Sequence, residues 1–498
     1  MKGAVRAPGV LSPRLLIPLW CLALAALRVG TDNETDAFWT AREGLDLMAG
    51  GALIHPDRWS WAPVPGDFVP NSPAWQWFLG LAWRAAGRSG LMLVSFISIA
   101  LCLHAMARLA RRLGAGQLGT AMGLVVLVIV DGPLFVNRSA LPAFVLLLVA
   151  LDRLWRHKAR LARAHGLTSA CIGFTVSLAL VSAGLWLHTS WALWSVAWLV
   201  DAALFSALAW PGRLARQLSF AGSALLGCGL AIAIGPLGLQ IFAQSERVAH
   251  ATQGINLEWA SPVEQGVRWT LVCAFAVAMG VVASVNSWRR RPIDEVWVVR
   301  LVLSMGLLGG ALAGAFAIRF LLLGLLCGMP VITAQFASWG PRWTGSAVAR
   351  RLGERATARY WSILMMVAGL IVLPLGIARS ALLAYPSLSD PSISSLPRDC
   401  SLFADDSSAA ILLRPDVRIW WDGRQDYWGR TRFIDGIRFL QGSERNDLVP
   451  AGTTCVLLHN IASGPKWTHL AAGLDADPRW KTVAANAYSQ AWTLAIAR

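Results

Sequence analysis

Acidic side chains gather directly after the first apolar stretch of a chain that is otherwise poor in acid. Residues 15–27 read LLIPLWCLALAAL, and residues 31–44 read TDNETDAFWTAREG. The second segment carries four acids, in a chain with 28 Asp and Glu against 44 Lys and Arg. These acids are Asp32, Glu34, Asp36 and Glu43. A carboxylate at the boundary between water and lipid can accept a proton from a substrate or ligate a metal ion.

Asp36 suits such chemistry best, because Phe38 and Trp39 stand beside it and would withdraw it partly from water. Asp32 and Glu34 have a second interpretation as acids at the start of the helix that follows, where the helix dipole favours a carboxylate. We therefore predict Asp36 as the catalytic carboxylate, which accepts a proton or holds a metal ion. Asp32 and Trp39 are predicted to line the substrate site around it.

Three basic side chains stand at the ends of apolar runs, away from the arginine clusters of the chain: Arg138 in VNRSALP, His188 in WLHTS and Arg319 in AIRFLL. An ionisable group at membrane depth is by default a functional hypothesis. The alternatives are snorkelling to lipid headgroups for the two arginines and a hydrogen-bonded position inside a helix bundle for His188. Glu258, in the segment LEWASP, is a candidate second carboxylate.

The composition indicates a polytopic membrane protein. Hydrophobic residues make up 56% of the chain, charged residues 14%, and the mean hydropathy is +0.52, whereas about a quarter of a typical globular domain is charged. A membrane span needs about 20 apolar residues, and such stretches recur. We predict about eleven spans, at 12–30, 90–107, 119–136, 140–153, 167–187, 191–209, 219–238, 267–286, 296–316, 320–337 and 361–384.

Clusters of arginine and lysine recur after every second predicted span, at 108–112, 153–163, 213–216, 289–291 and 342–359. The positive-inside rule places these clusters and the N-terminus in the cytoplasm, so loop 31–89 and tail 385–498 lie outside. We expect a multi-pass protein of the inner or plasma membrane, with the bilayer as a partner. We expect no nucleic-acid partner, because no basic stripe is interleaved with aromatic residues.

Two polar regions complete the predicted fold, which is mainly α. In the first outer loop, 31–89, segments 36–50 and 74–87 are predicted as helices at the membrane interface, the second interfacial or re-entrant. The tail alternates short apolar or β-branched runs with helical pieces, which predicts a small extracytoplasmic α/β domain. The chain is thereby divided into a transmembrane domain, 1–384, and this C-terminal domain, 385–498.

Two features of the tail have alternative interpretations. Asp422-Gly423-Arg424, followed by QDYWG, is either a sugar-binding surface or a structural turn in which Asp422 pairs with Arg424. Cys400 and Cys455 are the only cysteines of the tail, and each lies in or beside a predicted strand. An external compartment permits disulfides, and neighbouring strands are close enough for one. We predict a Cys400–Cys455 disulfide; the alternative is two buried thiols in strands that are not adjacent.

An ordered series of motifs runs through most of the chain. It begins with DAFWTAREGLDLMAGGALIHPDRWSWAP, in which an Asp is followed by aromatics, a Gly after a helix, and then Pro-Asp-x-x-Ser-aromatic. It continues with NSPAWQWFLGLAWRAAGRSGL, WLHTSWAL, GPLGLQIF, LEWASP, IRFLLLGLLCGMP and DGRQDYWG. This order resembles the GT-C superfamily of membrane glycosyltransferases, and within it a bacterial branch of GT-C-like membrane proteins. The order carries the resemblance, and no single motif does.

The resemblance implies transfer of a sugar, with inversion, from a polyprenyl-phosphate donor to an envelope glycan, lipid or protein. In GT-C enzymes the acid of the first outer loop acts as general base or helps to position a divalent metal, here Mg or Mn, and Asp36 is the matching residue. The departing phosphate needs cationic partners, the role expected of Arg138, His188 and Arg319. Many GT-C enzymes carry another acid in the second outer loop, whereas FVNRSALPAF at 135–144 has none.

Two other functions stay open on the sequence. The missing second acid fits a non-catalytic GT-C-like subunit or a lipid-binding scaffold of an envelope-glycan assembly. A transporter fits less well, because transporters usually show internal repeats with broken helix pairs, and no such repeat is visible in the sequence. The identities of the sugar and the acceptor, the metal requirement and the oligomeric state do not follow from the sequence.

Overall fold

The computed structural model describes residues 15–29, 36–62, 66–136, 138–252, 260–289, 295–343, 354–382, 391–442, 447–461, 464–465, 467–486 and 489–495. Helices dominate it. The helices before residue 210 are α1 (Leu16–Arg28), α2 (Asp36–Met48), α3 (Pro73–Arg112), α4 (Gln117–Val130), α5 (Ala140–Arg156), α6 (Lys158–Ala162), α7 (Gly166–Leu187) and α8 (Trp191–Ala209). Those that follow are α9 (Leu214–Ala233), α10 (Gln240–Thr252), α11 (Val267–Arg289), α12 (Glu295–Gly314), α13 (Ile318–Trp343) and α14 (Glu354–Leu382).

Seven helices among the described residues are long and apolar enough to cross a membrane. They lie in Pro73–Arg112, Gly166–Leu187, Trp191–Ala209, Val267–Arg289, Val296–Gly314, Ile318–Phe336 and Ser362–Arg379. Two further apolar helices, α1 and α4, are shorter. The prediction of a multi-pass helical membrane protein is therefore confirmed, whereas the number of eleven spans stays a prediction.

Small residues let the helices of the bundle approach closely. A methyl group added at Gly310 of α12 would lie 2.4 Å from the Cα atom of Gly324 in α13. Between α7 and α9, one added at Gly227 would lie 2.4 Å from the carbonyl oxygen of Phe174. Since lipid offers no hydrophobic gain for helix association, such close backbone packing is a main source of stability in a membrane.

Helix α3 is broken at Ala86 and Gly87, where Gly87 adopts a positive φ of 55°. This backbone conformation favours glycine because it has no Cβ atom. The part before the break exposes Trp77 and Phe78, as expected of an interfacial helix, and the part after it is the membrane-spanning portion. The break lies at the end of the predicted segment 74–87.

The C-terminal region folds into a mixed sheet with helices packed on it. Its strands are β3 (Ser401–Ala404), β4 (Arg418–Ile419), β5 (Cys455–Ile461), β6 (Gly464–Pro465), β7 (Trp480–Ala485) and β8 (Ser489–Leu494); β1 (His55–Pro56) and β2 (Asp67–Phe68) pair in the first outer loop. The helices are α15 (Pro391–Ser394), α16 (Gln425–Gln441) and α17 (Thr468–Ala476). The strand order is β4-β3-β5-β8-β7, with β6 beside β5, and β4 and β5 run parallel to β3. Strand β7 was not predicted, because its sequence WKTVAA lacks a continuous apolar run.

The first outer loop and the C-terminal sheet form one folded unit. Ser60 makes a parallel bridge to Ile419 at the edge of β4, and the indole N–H of Trp61 donates to the carbonyl oxygen of Leu402 at 3.0 Å. Phe38 and Trp59 belong to the same buried apolar cluster as residues of β3 and β5. Pairing of a loop with an edge strand gives hydrogen-bond partners to backbone groups that would otherwise be unpaired. The boundary between 1–384 and 385–498 stays a prediction.

Candidate active site

Asp36 is the first residue of α2 and is held in place from two sides. The indole N–H of Trp39 donates to its Oδ1 atom at 3.0 Å, because residues three apart lie on the same face of a helix. On the other side lies Gly423 of the C-terminal region: a methyl group there would sit 3.2 Å from Asp36 Oδ1 and 3.2 Å from Trp39 Cδ1. Tail and first outer loop thus meet at the predicted catalytic carboxylate.

Next to Gly423, the side chain of Arg424 is inserted between the two regions and is 1% exposed. Its guanidinium pairs with Asp422 at 2.7 Å, Asp57 at 3.0 Å and Glu43 at 3.4 Å. It also lies 4.0 Å from the ring centre of Trp59. Burial works against its charge, but the three carboxylates more than compensate and raise the pKa of Arg424 above its ordinary value.

The pair of Asp422 and Arg424, one of the two interpretations of DGR, is therefore present and belongs to a larger network. Asp57 comes from the Pro-Asp-x-x-Ser motif of the first outer loop, so two motifs of the sequence series meet in space. The contact of Arg424 with Glu43 and Asp57 was not predicted from the sequence. Nothing in the sequence links residues separated by more than 360 positions, although both motifs concentrate charge beside tryptophans.

The network continues from Glu43 to His55. The Nε2 atom of His55 lies 3.1 Å from Glu43 Oε2, and both side chains are 3% exposed. Burial raises the pKa of Glu43, although His55 and Arg424 act in the opposite direction. The hydrogen bond to Glu43 raises the pKa of His55. The folded protein therefore holds protons on this pair more tightly than free side chains would.

Arg138 and Arg319 lie close enough to His188 for their charges to act on it. Burial, followed by the positive charges of Arg319 and Arg138, lowers the pKa of His188 to about 3. The imidazole is therefore neutral near pH 7. Its Nδ1 atom accepts the backbone N–H of Ser190 at 3.0 Å, so Nε2 carries the proton and can donate to a ligand.

The loop that carries His188 is joined to the first outer loop. The backbone N–H of Thr189 donates to the carbonyl oxygen of Asn71 at 2.8 Å, directly before α3 begins. His188 and the two arginines near it, together the basic group, therefore lie at the same end of the molecule as α2, on the side of the C-terminal sheet. This placement is the one that a lipid-linked substrate with a phosphate at the membrane surface would require.

A further buried carboxylate, Asp131, follows the last residue of α4. Helix α4 ends at Val130, so Asp131 opens the loop that leads to α5, although its apolar surroundings had placed it inside the span 119–136. Its side chain is fully buried, and neither carboxylate oxygen has a hydrogen-bond partner in the described part of the chain. Segment 135–144 itself has no acid, so the non-catalytic GT-C-like subunit or scaffold stays open.

A cavity of about 330 Å³ opens between the first outer loop, α10 and α16. Its lining is Gly66, Asp67, Phe68, Val69, Gln244, Arg247 and Tyr427. The Oε1 atom of Gln244 is buried and has no hydrogen-bond partner among the described residues. The rings of Phe68 and Tyr427 pack edge to face, 5.7 Å apart, with Arg424 5.1 Å from each ring centre. The cavity therefore lies directly on the Arg424 network. Tyr427 belongs to QDYWG, which was predicted as one of two alternatives to bind a sugar, whereas Asp67, Gln244 and Arg247 were not predicted.

Two of the predicted site residues, Asp32 and Glu258, lie outside the described residues. Cys400 and Cys455 are both buried, and the strands that carry them are adjacent: Leu402 pairs with Cys455. Both are free thiols in the structure. The disulfide between them stays a prediction. The alternative placed the two thiols in strands that are not adjacent, whereas β3 and β5 are neighbours in the sheet.

Over the described ranges, no three His, Cys, Asp or Glu side chains come close enough together to hold a metal ion. A divalent cation, Mg or Mn, stays a prediction. We derive no step of the reaction through it.

Comparison with known proteins gives weak similarities. No family model and no curated protein matches the chain. Among solved structures, ArnT from Cupriavidus metallidurans is similar with 13% identity and a TM-score of 0.48 over 95% of each chain. An Archaeoglobus fulgidus oligosaccharyltransferase is similar with 12% identity and a TM-score of 0.43, over 90% of this chain and 69% of its own. Values this low do not assign a family or an activity to this chain.

Proposed function

We propose that the protein is an integral-membrane glycosyltransferase of the GT-C type. It takes a sugar from a polyprenyl-phosphate donor and transfers it to a cell-envelope glycan, lipid or protein at the outer face. The observation that carries the proposal is Asp36 itself. It stands where an apolar helical bundle meets a folded outer unit, and Trp39 and the Asp422-Gly423-Arg424 turn hold it from opposite sides.

Asp36 acts as general base in a single displacement. Its carboxylate takes the proton of the acceptor hydroxyl while that oxygen forms a bond to the anomeric carbon. The bond from the anomeric carbon to the phosphate oxygen breaks, its electron pair leaves with polyprenyl phosphate, and the configuration inverts. The hydrogen bond from the Trp39 indole N–H to Oδ1 orients this carboxylate.

The basic group, which consists of Arg138, His188 and Arg319, compensates the charge of the leaving phosphate. Arg138 and Arg319 supply positive charge, and neutral His188 supplies an Nε2–H donor. The polyprenyl chain stays in the bilayer, so a phosphate held at the ends of the spans requires no extraction of the lipid. Because His188 is already neutral, binding of the phosphate should not depend on its titration near pH 7.

The cavity on the Arg424 network is the proposed acceptor site. Aromatic rings pack against the apolar face of a sugar, while carboxylate, amide and guanidinium groups hydrogen-bond to its hydroxyls. Tyr427 and Phe68 supply the first kind of contact, and Asp67, Gln244 and Arg247 supply the second. Its volume of about 330 Å³ lies in the range of sites for small ligands.

The test compares the wild type with Asp36→Asn in lipid nanodiscs that contain a panel of polyprenyl-phosphate sugars, with an envelope extract as acceptor. Release of polyprenyl phosphate is measured by mass spectrometry. We expect the variant to lose activity by about 10²–10⁴-fold, the typical contribution of general-base catalysis. Asp447→Asn, which alters an exposed acid of the tail, should retain full activity.

Equal activity of Asp36→Asn and the wild type would remove Asp36 from the reaction. Absence of any release by the wild type with every donor of the panel would contradict the transferase itself. The same absence with donor still bound would instead indicate a lipid-binding scaffold.

A further inference from the structure

Helix α10 forms one wall of the proposed acceptor cavity and also packs on the helix bundle. It contributes Gln244 and Arg247 to the lining of the cavity, and it packs against α16 of the C-terminal region. Its Ile241 is buried and belongs to the apolar core of the bundle. The helix thus joins the bundle to the outer unit, and the proposed reaction gives no role to its remaining side.

Helix α10 begins at the level of the membrane surface. Helix α7 is long and apolar enough to cross a membrane and ends at Leu187, so Leu185 lies near one surface of the bilayer. A methyl group added at Gly235, shortly before α10, would lie 3.2 Å from Cδ1 of Leu185. The start of α10 is therefore at this surface, at the end of the bundle that carries His188 and the first outer loop.

The side of α10 that faces away from the cavity presents an apolar side chain. Phe242 is 56% exposed, and Leu239, directly before the helix, is 70% exposed. Because each residue of an α-helix turns the chain by about 100°, Phe242 lies across the helix from Gln244. A helix at the membrane surface with an exposed apolar side and a polar opposite side is typical of one that lies in the interface plane.

A second wall of the cavity also leads to the membrane interface. Residues 66–69 of the first outer loop line the cavity, and α3 begins shortly after them at Pro73. The first part of α3 exposes Trp77 and Phe78. The cavity is therefore bordered by two segments that each belong to, or lead into, an interfacial helix, and it lies next to the bilayer.

The cavity holds an unpaired polar atom and lies close to Asp36. The side chain of Gln244 is 8% exposed, and its Oε1 atom has no hydrogen-bond partner in the described part of the chain. A buried oxygen without a partner is unfavourable, and a hydroxyl of a ligand would satisfy it. The ring of Phe68, in the lining, lies 6.4 Å from the ring of Trp39, which binds Asp36. A headgroup in the cavity can therefore present a hydroxyl to the proposed base.

We infer that the acceptor is a membrane lipid whose headgroup carries the hydroxyl that receives the sugar. The headgroup fills the cavity, and the acyl chains stay in the bilayer beside Leu239 and Phe242. This inference rests on the proposed function and selects one of its three acceptor classes. The hydroxyl oxygen forms the bond to the anomeric carbon, its proton passes to Asp36, and polyprenyl phosphate leaves with the electron pair of the broken bond.

The test supplies the acceptor as two fractions of one cell envelope: the lipids extracted into chloroform and methanol, and the aqueous fraction with its glycans and proteins. The full-length protein in nanodiscs receives the panel of polyprenyl-phosphate sugars and either fraction. Mass spectrometry measures released polyprenyl phosphate and the molecules that gain a sugar. We expect release with the lipid fraction, together with a lipid that is heavier by one sugar residue, and no product in the aqueous fraction.

Gln244→Ala removes the buried amide from the cavity. Loss of one hydrogen bond to the headgroup should raise the KM for the lipid fraction by about fivefold and leave the KM for the donor unchanged. Gln240→Ala is the matched control, since Gln240 is exposed at the start of the same helix and does not line the cavity. Size-exclusion profiles show whether the variants are folded. Arg247→Gln, at an exposed residue of the lining, replaces Gln244→Ala if that variant is not.

The contact of α10 with the bilayer is measured without activity. A nitrobenzoxadiazole label at Phe242→Cys, in a Cys171→Ser background, should be quenched by phospholipids that carry a spin label on the acyl chain. The same label at His469→Cys, on the exposed side of α17, should not be quenched. Equal quenching at the two positions, or a disulfide-linked dimer through position 242, would overturn the placement of α10 on the membrane.

The acceptor assay separates failure of the inference from failure of the proposed function. Release with the aqueous fraction alone would identify a glycan or protein acceptor, which overturns the inference and leaves the transferase intact. Equal changes of KM in Gln244→Ala and Gln240→Ala would show that the lipid headgroup does not bind in this cavity. No release with either fraction would contradict the proposed function, and the inference with it.

Discussion

Asp36 and Glu43 lie seven residues apart on α2 and therefore on the same face of the helix. The first meets Gly423 and the second meets Arg424, so consecutive residues of the tail contact both acids. A change in the charge of the buried network thus acts on the helix that carries the proposed base. The titratable members nearest to that helix are Glu43 and His55.

We predict that stability falls as the pH rises above neutrality, and that His55→Gln weakens this dependence. Both Glu43 and His55 have raised pKa values in the folded state. A raised pKa stabilises the fold fully below the pKa of the unfolded chain, which is about 6.5 for His. This contribution is lost as the pH rises through the higher folded value of His55. Thermal unfolding of the purified protein at half-unit steps from pH 6 to 9 measures it.

A Gln side chain does not titrate. The melting temperature of His55→Gln should therefore depend less on pH than that of the wild type. His469→Gln is the control, since His469 lies on the exposed side of α17. Parallel curves for the wild type and His55→Gln would show that the pair does not contribute to the pH dependence.

At the scale of elements, Arg424 joins α2, the first outer loop and the start of α16. Trp59 and Trp61 flank Ser60, which pairs with β4, so the loop is attached to the sheet by backbone and side chains together. This attachment explains how a long loop rich in tryptophan keeps a defined position above the bundle. It also makes the C-terminal region part of the proposed active site.

We predict that Arg424→Gln lowers the free energy of unfolding by about 3–5 kcal/mol, the usual cost of removing one partner from a buried ion network. Three carboxylates would lose their common cation while remaining buried. Denaturant unfolding followed by tryptophan fluorescence measures the loss, with Arg418→Gln on the exposed side of β4 as control. A loss no larger than that of the control would mean that the network adds little to stability.

Much of this arrangement of elements follows from local patterns in the sequence. Segment 36–50 was predicted as a helix and α2 covers Asp36–Met48; segment 74–87 ends where α3 breaks at Gly87. Apolar length and the positions of Gly and Pro specify such features within a short window of sequence. The described helices lie close to the predicted spans for the same reason.

Long-range contacts could not be predicted in this way. Nothing local in the sequence indicates that Asp57, Glu43 and Arg424 share one buried site, and only the fold brings them together. The predicted span 119–136 runs past the end of α4 at Val130, because apolar residues flank Asp131 on both sides and hydropathy alone does not mark a helix end. Burial of a charged group is decided by its partners, which a local pattern does not contain.

At the scale of the whole molecule, the two ends of the bundle differ in chemistry. One end carries Asp36, the basic group around His188 and the sheet; the other carries Arg112 and Arg156, which pair with Asp152. The apolar helices thereby separate the proposed catalytic acid from these arginines. This polarity agrees with the orientation that the positive-inside rule predicts, with the sheet outside.

We predict that single cysteines in a Cys171→Ser background report this orientation in intact cells. Cys171 is the exposed one of the eight cysteines. A membrane-impermeant maleimide should label Asp447→Cys in the tail, and should label Ala159→Cys, between α5 and α7, only after the cells are opened. Labelling of Ala159→Cys in intact cells, with Asp447→Cys protected, would invert the orientation and contradict a reaction at the outer face.

The central claim is that a lipid-linked phosphate binds between Asp36 and the basic group of Arg138, His188 and Arg319. The most direct measurement is an electron cryomicroscopy map of the protein in nanodiscs with added polyprenyl phosphate. The account predicts phosphate density within hydrogen-bond distance of His188 Nε2 or of one of the two arginines, on the side that faces α2. Density for the phosphate at any other place in the molecule, with this group unoccupied, would contradict it.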